Sequence, residues 1–393
     1  MAYNLKQYLF INHAFKLIAF GFFFLSAIQV IHAQISSENS NSSKDKKYNF
    51  YSQLKFDYGG VVGVVKEQGI HDYYGLDLRF ALQKRKNDVY SSIYRAPKFG
   101  LGLYSGNFNN NDFGHPFGVY GFYEIPIILP QSKWSFVYNI GLGMGFNFNY
   151  YNPEGNPNNL LIGTERNVYI SLAFESRYNI TDHWVLGAGF GFKHFSNGRV
   201  KLPNKGINLI PITVMAEYNI GDTYTDIKEG NLKKFQPFNC ITVFGAAGRK
   251  NFEYDEPIYF KSSLGASYLR QFNYKFRYGG GLELFYTDGS LDRIPSDKSN
   301  FNKLFSYGFV GVFEWQITER LYMPLNVGIY FNHNKENVEE IIYQRIGVRY
   351  LVGKPKKLFL GVSLKATRVH ADYTEWTLGY TFKKDPNKYE LLF

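Results

Sequence analysis

The stretch Trp184-Val185-Leu186-Gly187-Ala188-Gly189-Phe190-Gly191-Phe192-Lys193, continuing into His194-Phe195-Ser196-Asn197-Gly198, alternates bulky apolar residues with small ones. Side chains on a strand repeat every second residue. Trp184, Leu186, Ala188, Phe190, Phe192, His194 and Ser196 therefore share one face. Val185, Gly187, Gly189, Gly191 and Lys193 share the other. After a loop containing Pro203-Asn204-Lys205-Gly206, a second extended segment runs from Ile207 to Ile220. In it Asn208, Ile210, Ile212, Val214 and Ala216 form one row. A histidine, a serine and an asparagine thus prolong the greasy rows of two neighbouring strands. Polar groups with triad chemistry on such a face call for an explanation.

Working outward, the same pattern fills the chain. Glycine, tyrosine and phenylalanine are abundant, at 38, 33 and 37 of 393 residues, and mean hydropathy is slightly negative. That mix argues against a helical membrane protein. It suits a transmembrane β-barrel, whose strands point apolar residues out and polar or small ones in. Strands are expected near 51–62, 72–84, 89–105, 115–128, 133–150, 166–180, 183–196 and 207–221. Short connections (84–87, 130–133, 181–182) alternate with long ones rich in Gly, Asn or Pro (65–71, 105–115, 151–165, 197–206). Bacterial outer-membrane barrels pair short periplasmic turns with long extracellular loops. His194 then falls at the outer end of the seventh strand, in the lipopolysaccharide leaflet.

After a polar connector, 222–236, the pattern restarts over 237–393. Eight strands are expected near 238–249, 258–271, 273–287, 304–316, 319–332, 339–352, 356–369 and 373–383. An internal repeat supports the division. Phe117-Gly118-Val119-Tyr120-Gly121-Phe122-Tyr123-Glu124 aligns with Tyr307-Gly308-Phe309-Val310-Gly311-Val312-Phe313-Glu314, and Asn139-Ile140-Gly141 with Asn326-Val327-Gly328. The expected fold is all-β: a transmembrane antiparallel β-barrel protein with two tandem eight-stranded barrels. The alternative is one barrel of about sixteen strands, since both are even-numbered closures. The second half lacks the site: its seventh strand ends Arg368-Val369-His370-Ala371-Asp372, and His370 reads as an interfacial or loop residue. Leu378-Gly379-Tyr380-Thr381-Phe382 resembles the C-terminal signal read by barrel-insertion machinery, an expected partner.

The N-terminus reads as a secretory signal over residues 1–33. Lys6 and Lys16 are basic, 17–31 is apolar, and Ile31-His32-Ala33 before Gln34 resembles a cleavage site. Residues 34–50 read as a disordered polar spacer. Cys240 is the lone cysteine, so no intramolecular disulfide can form. The net charge of +11 reads as attraction to anionic headgroups; no motif supports nucleic-acid binding. No metal-ligand spacing appears, so neither a metal nor another cofactor is expected. Gly245-Ala246-Ala247-Gly248-Arg249-Lys250 has the wrong spacing for a phosphate loop. His71, His115, His183 and His333 are isolated.

A serine hydrolase needs a nucleophile, a base within reach, a group orienting the base, and oxyanion donors. His194 and Ser196 project the same way, and a bend at Asn197-Gly198 would let them meet. Asn208 enters from the paired strand and could accept the histidine N–H. Backbone N–H groups at Asn197 and Gly198, or the Asn204 side chain, are candidate oxyanion donors.

His194-Phe195-Ser196-Asn197-Gly198 followed by Pro203-Asn204-Lys205-Gly206-Ile207 resembles the signature of the outer-membrane lipid A 3-O-deacylase (PagL-like, acyloxyacyl hydrolase) family. The motif match covers about fifteen residues, within a barrel pattern over 51–221; residues 237–393 lie outside it. The resemblance implies an eight-stranded barrel with a Ser-His-acid triad on its membrane-facing exterior. It implies hydrolysis of the ester-linked acyl chain at position 3 of lipid A, with His194 as base and Ser196 as nucleophile. Asn197, Gly198 and Asn204 would surround the oxyanion hole. The family's acid, a glutamate, is replaced here by Asn208, which can hold a tautomer but cannot offset an imidazolium. Arg199, Lys201 and Lys205 would meet lipid A phosphates or be ordinary loop charge. The expected partner is lipid A or lipopolysaccharide, with a homodimer left open. The competing reading is a non-enzymatic barrel, a small-solute channel or a surface-binding scaffold.

Overall fold

A computed structural model of the protein describes residues 47–63, 72–85, 88–127, 133–220, 232, 234–289, 300–332, 341–354, 356–368 and 370–383. The expected signal segment, most of the spacer and the connector, His71, His333 and the tail beyond 383 lie outside the described residues. The first barrel consists of β1 (Tyr48–Val62), β2 (Asp72–Lys84), β3 (Lys98–Asn107), β4 (Gly114–Pro126), β5 (Trp134–Phe148), β6 (Asn167–Asn179), β7 (Trp184–Ser196) and β8 (Ile207–Ile220). Its first and eighth strands pair antiparallel and close the ring. The spacer's last three residues, Tyr48 to Phe50, belong to β1.

The second barrel consists of β9 (Phe238–Asn251), β10 (Ile258–Gln271), β11 (Phe276–Thr287), β12 (Phe305–Gln316), β13 (Leu321–Asn332), β14 (Ile342–Val352), β15 (Leu358–Thr367) and β16 (His370–Lys383). It closes through β16 and β9. Two closures of eight set aside the single larger barrel. The repeated segments occupy equivalent strands. Glu124 and Glu314 lie in the fourth strand of each barrel, Asn139 and Asn326 in the fifth, and all four are buried. The chain packs as two compact units, one built on each barrel; the second also takes in loops 151–164 and 196–206. Among the described residues no helix is long and apolar enough to cross a membrane.

One expected strand is shorter than its sequence implied. Residues 89–105 do not form a single strand: Val89–Ile93 is a helix, and β3 starts at Lys98. The Asp88 side chain caps the helix by accepting from Ser91 N–H at 2.7 Å, which satisfies a donor left open at a helix start. Arg95 and Ala96 then take positive φ before Pro97. Tyr90, Tyr94 and Ala96 are buried, so the connection packs inward instead of forming a short turn.

The interior of the first barrel is filled. Arg177 meets Glu124 at 2.5 Å, Glu175 at 2.6 Å and Glu217 at 3.4 Å. Lys55 meets Glu175 at 2.5 Å, and Lys98 meets Glu217 at 2.5 Å. Buried charges are tolerated only when paired in this way. Glycines on the inward rows do not leave an open bore. A Cβ on Gly102 would overlap the Tyr120 ring, and one on Gly141 would lie 3.0 Å from it. Tyr104 and Tyr169 stack with centroids 5.6 Å apart. The second barrel repeats the principle with other residues: Arg345 pairs with Glu283 and Glu375, and Arg277 with Glu314 at 2.8 Å.

Candidate active site on the barrel exterior

The row Trp184, Leu186, Phe190, Phe192 points outward, with Phe190 61% exposed. Across the seam Ile210, Ile212 and Val214 are exposed likewise. His194 continues the β7 row and is half-buried, its ring parallel to that of Phe192 with centroids 6.3 Å apart. Its two chain neighbours are driven the other way. Lys193 is buried in the lumen and pairs with Asp57, which also accepts from Thr213 Oγ1 at 2.6 Å. Phe195 is fully buried among Tyr169, Phe148 and Tyr104, with centroids 4.8, 5.2 and 6.1 Å away. A one-residue slip of β7 would expel Lys193 from its carboxylate and drive His194 into the bore. The two inward anchors therefore hold the imidazole on the outer wall.

His194 and Asn208 face each other directly in the β7–β8 ladder, and His194 Nδ1 lies 2.7 Å from Asn208 Oδ1. An amide oxygen can only accept, so the Nδ1 hydrogen donates to it. Nε2 is then the lone-pair nitrogen, the form a general base requires. Ser196 follows two residues along the same strand and is buried.

Beyond Ser196 the chain turns sharply. Gly198 and Arg199 have φ of 63° and 64°, and Val200 N–H donates to Asn197 O at 3.4 Å. Positive φ at both central residues marks a mirror-image turn and explains a glycine there. Asn204 Oδ1 accepts from Asn197 N–H at 3.0 Å, and Asn197 Nδ2 donates to Lys201 O at 2.8 Å. The backbone N–H of Asn197 and one hydrogen of its amide are thus committed to shaping the loop. Gly198 N–H, Asn204 Nδ2 and the second Asn197 Nδ2 hydrogen are the donors to consider for an oxyanion. Lys201 and Lys205 are exposed, whereas Arg199 is half-buried.

Glu217 lies in the bore, held by Lys98, Arg177 and Gln53, so it cannot stand behind the imidazole. His370 opens β16 instead of ending the preceding strand or lying in a loop. It is exposed, with Nδ1 3.0 Å from Arg368 O. His183 Nδ1 lies 3.2 Å from Asn219 O, and His115 is exposed at the start of β4. Among the described residues no group of three His, Cys, Asp or Glu side chains could hold a metal ion. The anchors Lys193, Asp57 and Phe195 had escaped sequence reasoning. Their signal was a lysine closing a row of glycines, which has meaning only once the bore's carboxylates are located.

Two family models match the sequence. One, described as lipid A 3-O-deacylase (PagL), matches residues 72–219. The other, described as the C-terminal domain of acyloxyacyl hydrolase, matches residues 239–384. The chain belongs to the PagL lipid A 3-O-deacylase family. The second match extends the relationship to the barrel that the short motif did not reach. No curated protein matches the sequence. Similar solved structures include Neisserial surface protein A, at 11% identity and TM-score 0.30, covering 44% of this chain and 97% of that one. The P. putida toluene transporter TodX is similar at 10% identity and TM-score 0.19, covering 86% and 90%. The β domain of the Bordetella autotransporter BrkA is similar at 8% identity and TM-score 0.23, covering 86% and 99%. Family and closed barrels together make this an outer-membrane β-barrel protein of a hydrolase family.

Proposed function

We propose that the chain is an outer-membrane serine esterase that removes the ester-linked acyl chain from position 3 of lipid A. The observation that carries this is the outward His194–Asn208 pair, 2.7 Å apart, on a wall otherwise lined by Phe190, Phe192, Ile210 and Ile212. Lipid A diffusing in the leaflet would reach it sideways.

In this reading Ser196 Oγ attacks the ester carbonyl carbon and its proton passes to His194 Nε2, while Asn208 accepts from Nδ1–H. Negative charge on the carbonyl oxygen is met by Gly198 N–H and the Asn204 amide, with Asn197 shaping the loop that presents them. Collapse breaks the ester bond, and His194 returns the proton to the departing 3-hydroxyl. Water then attacks the acyl-enzyme with His194 again as base, which releases the fatty acid and restores Ser196. Lys201, Lys205 and Arg199 face the phosphates of the headgroup, each cation contributing on the order of 1 kcal/mol near an anionic surface. Residues 1–33 direct export as a cleaved signal, and the aromatic end of β16 is read by the insertion machinery. The packed interior of the first barrel supports an enzyme over a solute channel.

The test is Ser196→Ala in the full chain, with lipid A acylation followed by mass spectrometry. Wild type should lose one acyl chain and the variant should retain it while folding normally. Full acylation in cells carrying folded wild type, with a 3-O-acylated substrate present, would sink the reading.

A further inference from the structure

The loop that carries the proposed oxyanion donors is tied to one residue far along the chain. Asn251, the last residue of β9, is buried. Its backbone N–H donates to Arg199 O at 3.2 Å, and its Oδ1 accepts from Leu202 N–H at 3.1 Å. Its Nδ2 donates to Glu256 O at 3.0 Å, which fixes the amide's direction. One side chain and its own backbone thus grip both ends of the segment 199–202, immediately between Gly198 and Asn204.

Other contacts of the same unit hold the loop from two sides. Gly198 fits against Thr374 of β16, where a Cβ would overlap Thr374 Oγ1 and lie 3.7 Å from Leu364 Cδ1. Loop 151–164 closes the other side. Gly206 N–H donates to Leu161 O at 3.1 Å, and a Cβ on Gly163 would come within 2.7 Å of Pro203 O. Tyr151 of that loop packs edge-on against Tyr254, with centroids 4.9 Å apart. Leu161 and Ile162 are fully buried, and Asn159 Oδ1 accepts from both their N–H groups at 3.1 Å.

We infer that Asn251 is a positioning residue for the active-site loop, and that the second barrel supplies the scaffold on which the oxyanion donors are set. The inference rests on the esterase reading above. Catalysis is sensitive to such placement, since a misplacement of about 1 Å costs about 100-fold in rate. An acceptor at Asn251 Oδ1 is the part of the side chain that touches the loop. Asn251→Asp keeps that oxygen but turns a second acceptor oxygen toward Glu256 O where the amide donated, whereas Asn251→Ala removes both contacts.

The experiment uses the full chain in membranes, with three measurements on each variant: lipid A deacylation, labelling of Ser196 by a fluorophosphonate, and amide exchange of peptides covering 197–206 and 184–194. Asn251→Ala should slow deacylation and labelling about 10- to 100-fold and speed exchange in 197–206 but not in 184–194. Asn251→Asp, which keeps the acceptor for Leu202 N–H but loses the donor to Glu256 O, should fall between wild type and alanine in all three. Thr374→Phe, on the outer wall where folding is least at risk, should displace Gly198 and slow labelling likewise. Wild-type labelling and exchange in folded Asn251→Ala or Thr374→Phe would overturn the inference. If wild type itself neither deacylates nor labels, the esterase reading falls. Exchange in 197–206 then decides the loop's anchorage alone, faster exchange in Asn251→Ala supporting it and unchanged exchange refuting it.

Discussion

If the chain works as the esterase proposed above, replacing Asn208 with aspartate isolates what an amide at that position withholds from the reaction. The two side chains are nearly isosteric, and Asn208 Oδ1 already lies 2.7 Å from His194 Nδ1, so tautomer and ring orientation carry over. Only the charge changes. Once Ser196 has given up its proton, a carboxylate would face a unit cation across roughly 4 Å between charge centres. Coulomb's law gives about 1 kcal/mol there in bulk water and about 4 kcal/mol at an effective dielectric of about 20. Both residues are half-buried, which places the gain between, at about 2 kcal/mol or about 30-fold in rate. That falls well short of the ~10⁴ lost when a serine triad's acid becomes an amide, because that loss comes from the wrong tautomer, whereas here the amide oxygen already faces the ring. The assay is single-turnover deacylation of lipid A by equal amounts of folded variant and wild type, timed by mass spectrometry. An unchanged or lower rate in folded Asn208→Asp would refute the reasoning, since no charge would then develop on the imidazole along the reaction path.

Other outcomes follow from the anchors and the filled bore. In Gly145→Ala the new methyl would lie 2.9 Å from the Phe195 ring; Phe195 must shift between His194 and Ser196, and kcat should fall about tenfold with the barrel still folded. Arg177→Ala leaves Glu124, Glu175 and Glu217 facing one another without their shared cation, a loss of about 3–5 kcal/mol, read as a lower urea midpoint. Asp88→Ala removes the helix cap at a cost of about 1 kcal/mol. Burial pushes the Asp88 carboxyl up, but hydrogen bonds from Lys84 and Ser91 outweigh it and hold the group below its ordinary value. A carboxyl so lowered contributes fully above its unfolded pKa, about 4, and loses that contribution as pH falls through its folded value. The gap between Asp88→Ala and wild type should therefore narrow in acid, as thermal melts at several pH values would reveal.

The two barrels were legible because period-two alternation survives almost unbroken, and because a repeat such as Phe117–Glu124 against Tyr307–Glu314 announces a second copy. The helix after β2 was not, since Val89, Tyr90 and Ile93 favour strands and only the capping role of Asp88 argued otherwise. The pairing of His194 with Asn208 followed from facing positions on adjacent strands. The charges inside were harder. Alternation places Lys55, Asp57 and Glu175 inward, but which meets which depends on the register of strands across the bore. The glycines on those rows are ambiguous in sequence for the same reason: an inward glycine can leave space or, as at Gly102 and Gly141, accommodate a ring such as Tyr120. Asn251 could not be found from sequence, because nothing local distinguishes an asparagine at a strand end from one that grips a loop beginning some fifty residues earlier.

A solid core has a bearing on hydrolysis that the arrangement of catalytic groups alone does not convey. Ion pairs and aromatic rings fill the bore of the first barrel, which narrows the route for water to Ser196 from beneath. For an esterase mounted on the flank, the fatty ester arrives laterally out of oil, while the water that finishes the job descends mainly from the headgroup side. How long the acyl-enzyme survives would then depend on how wet the leaflet's rim is, and lipid packing above the loop would meter turnover.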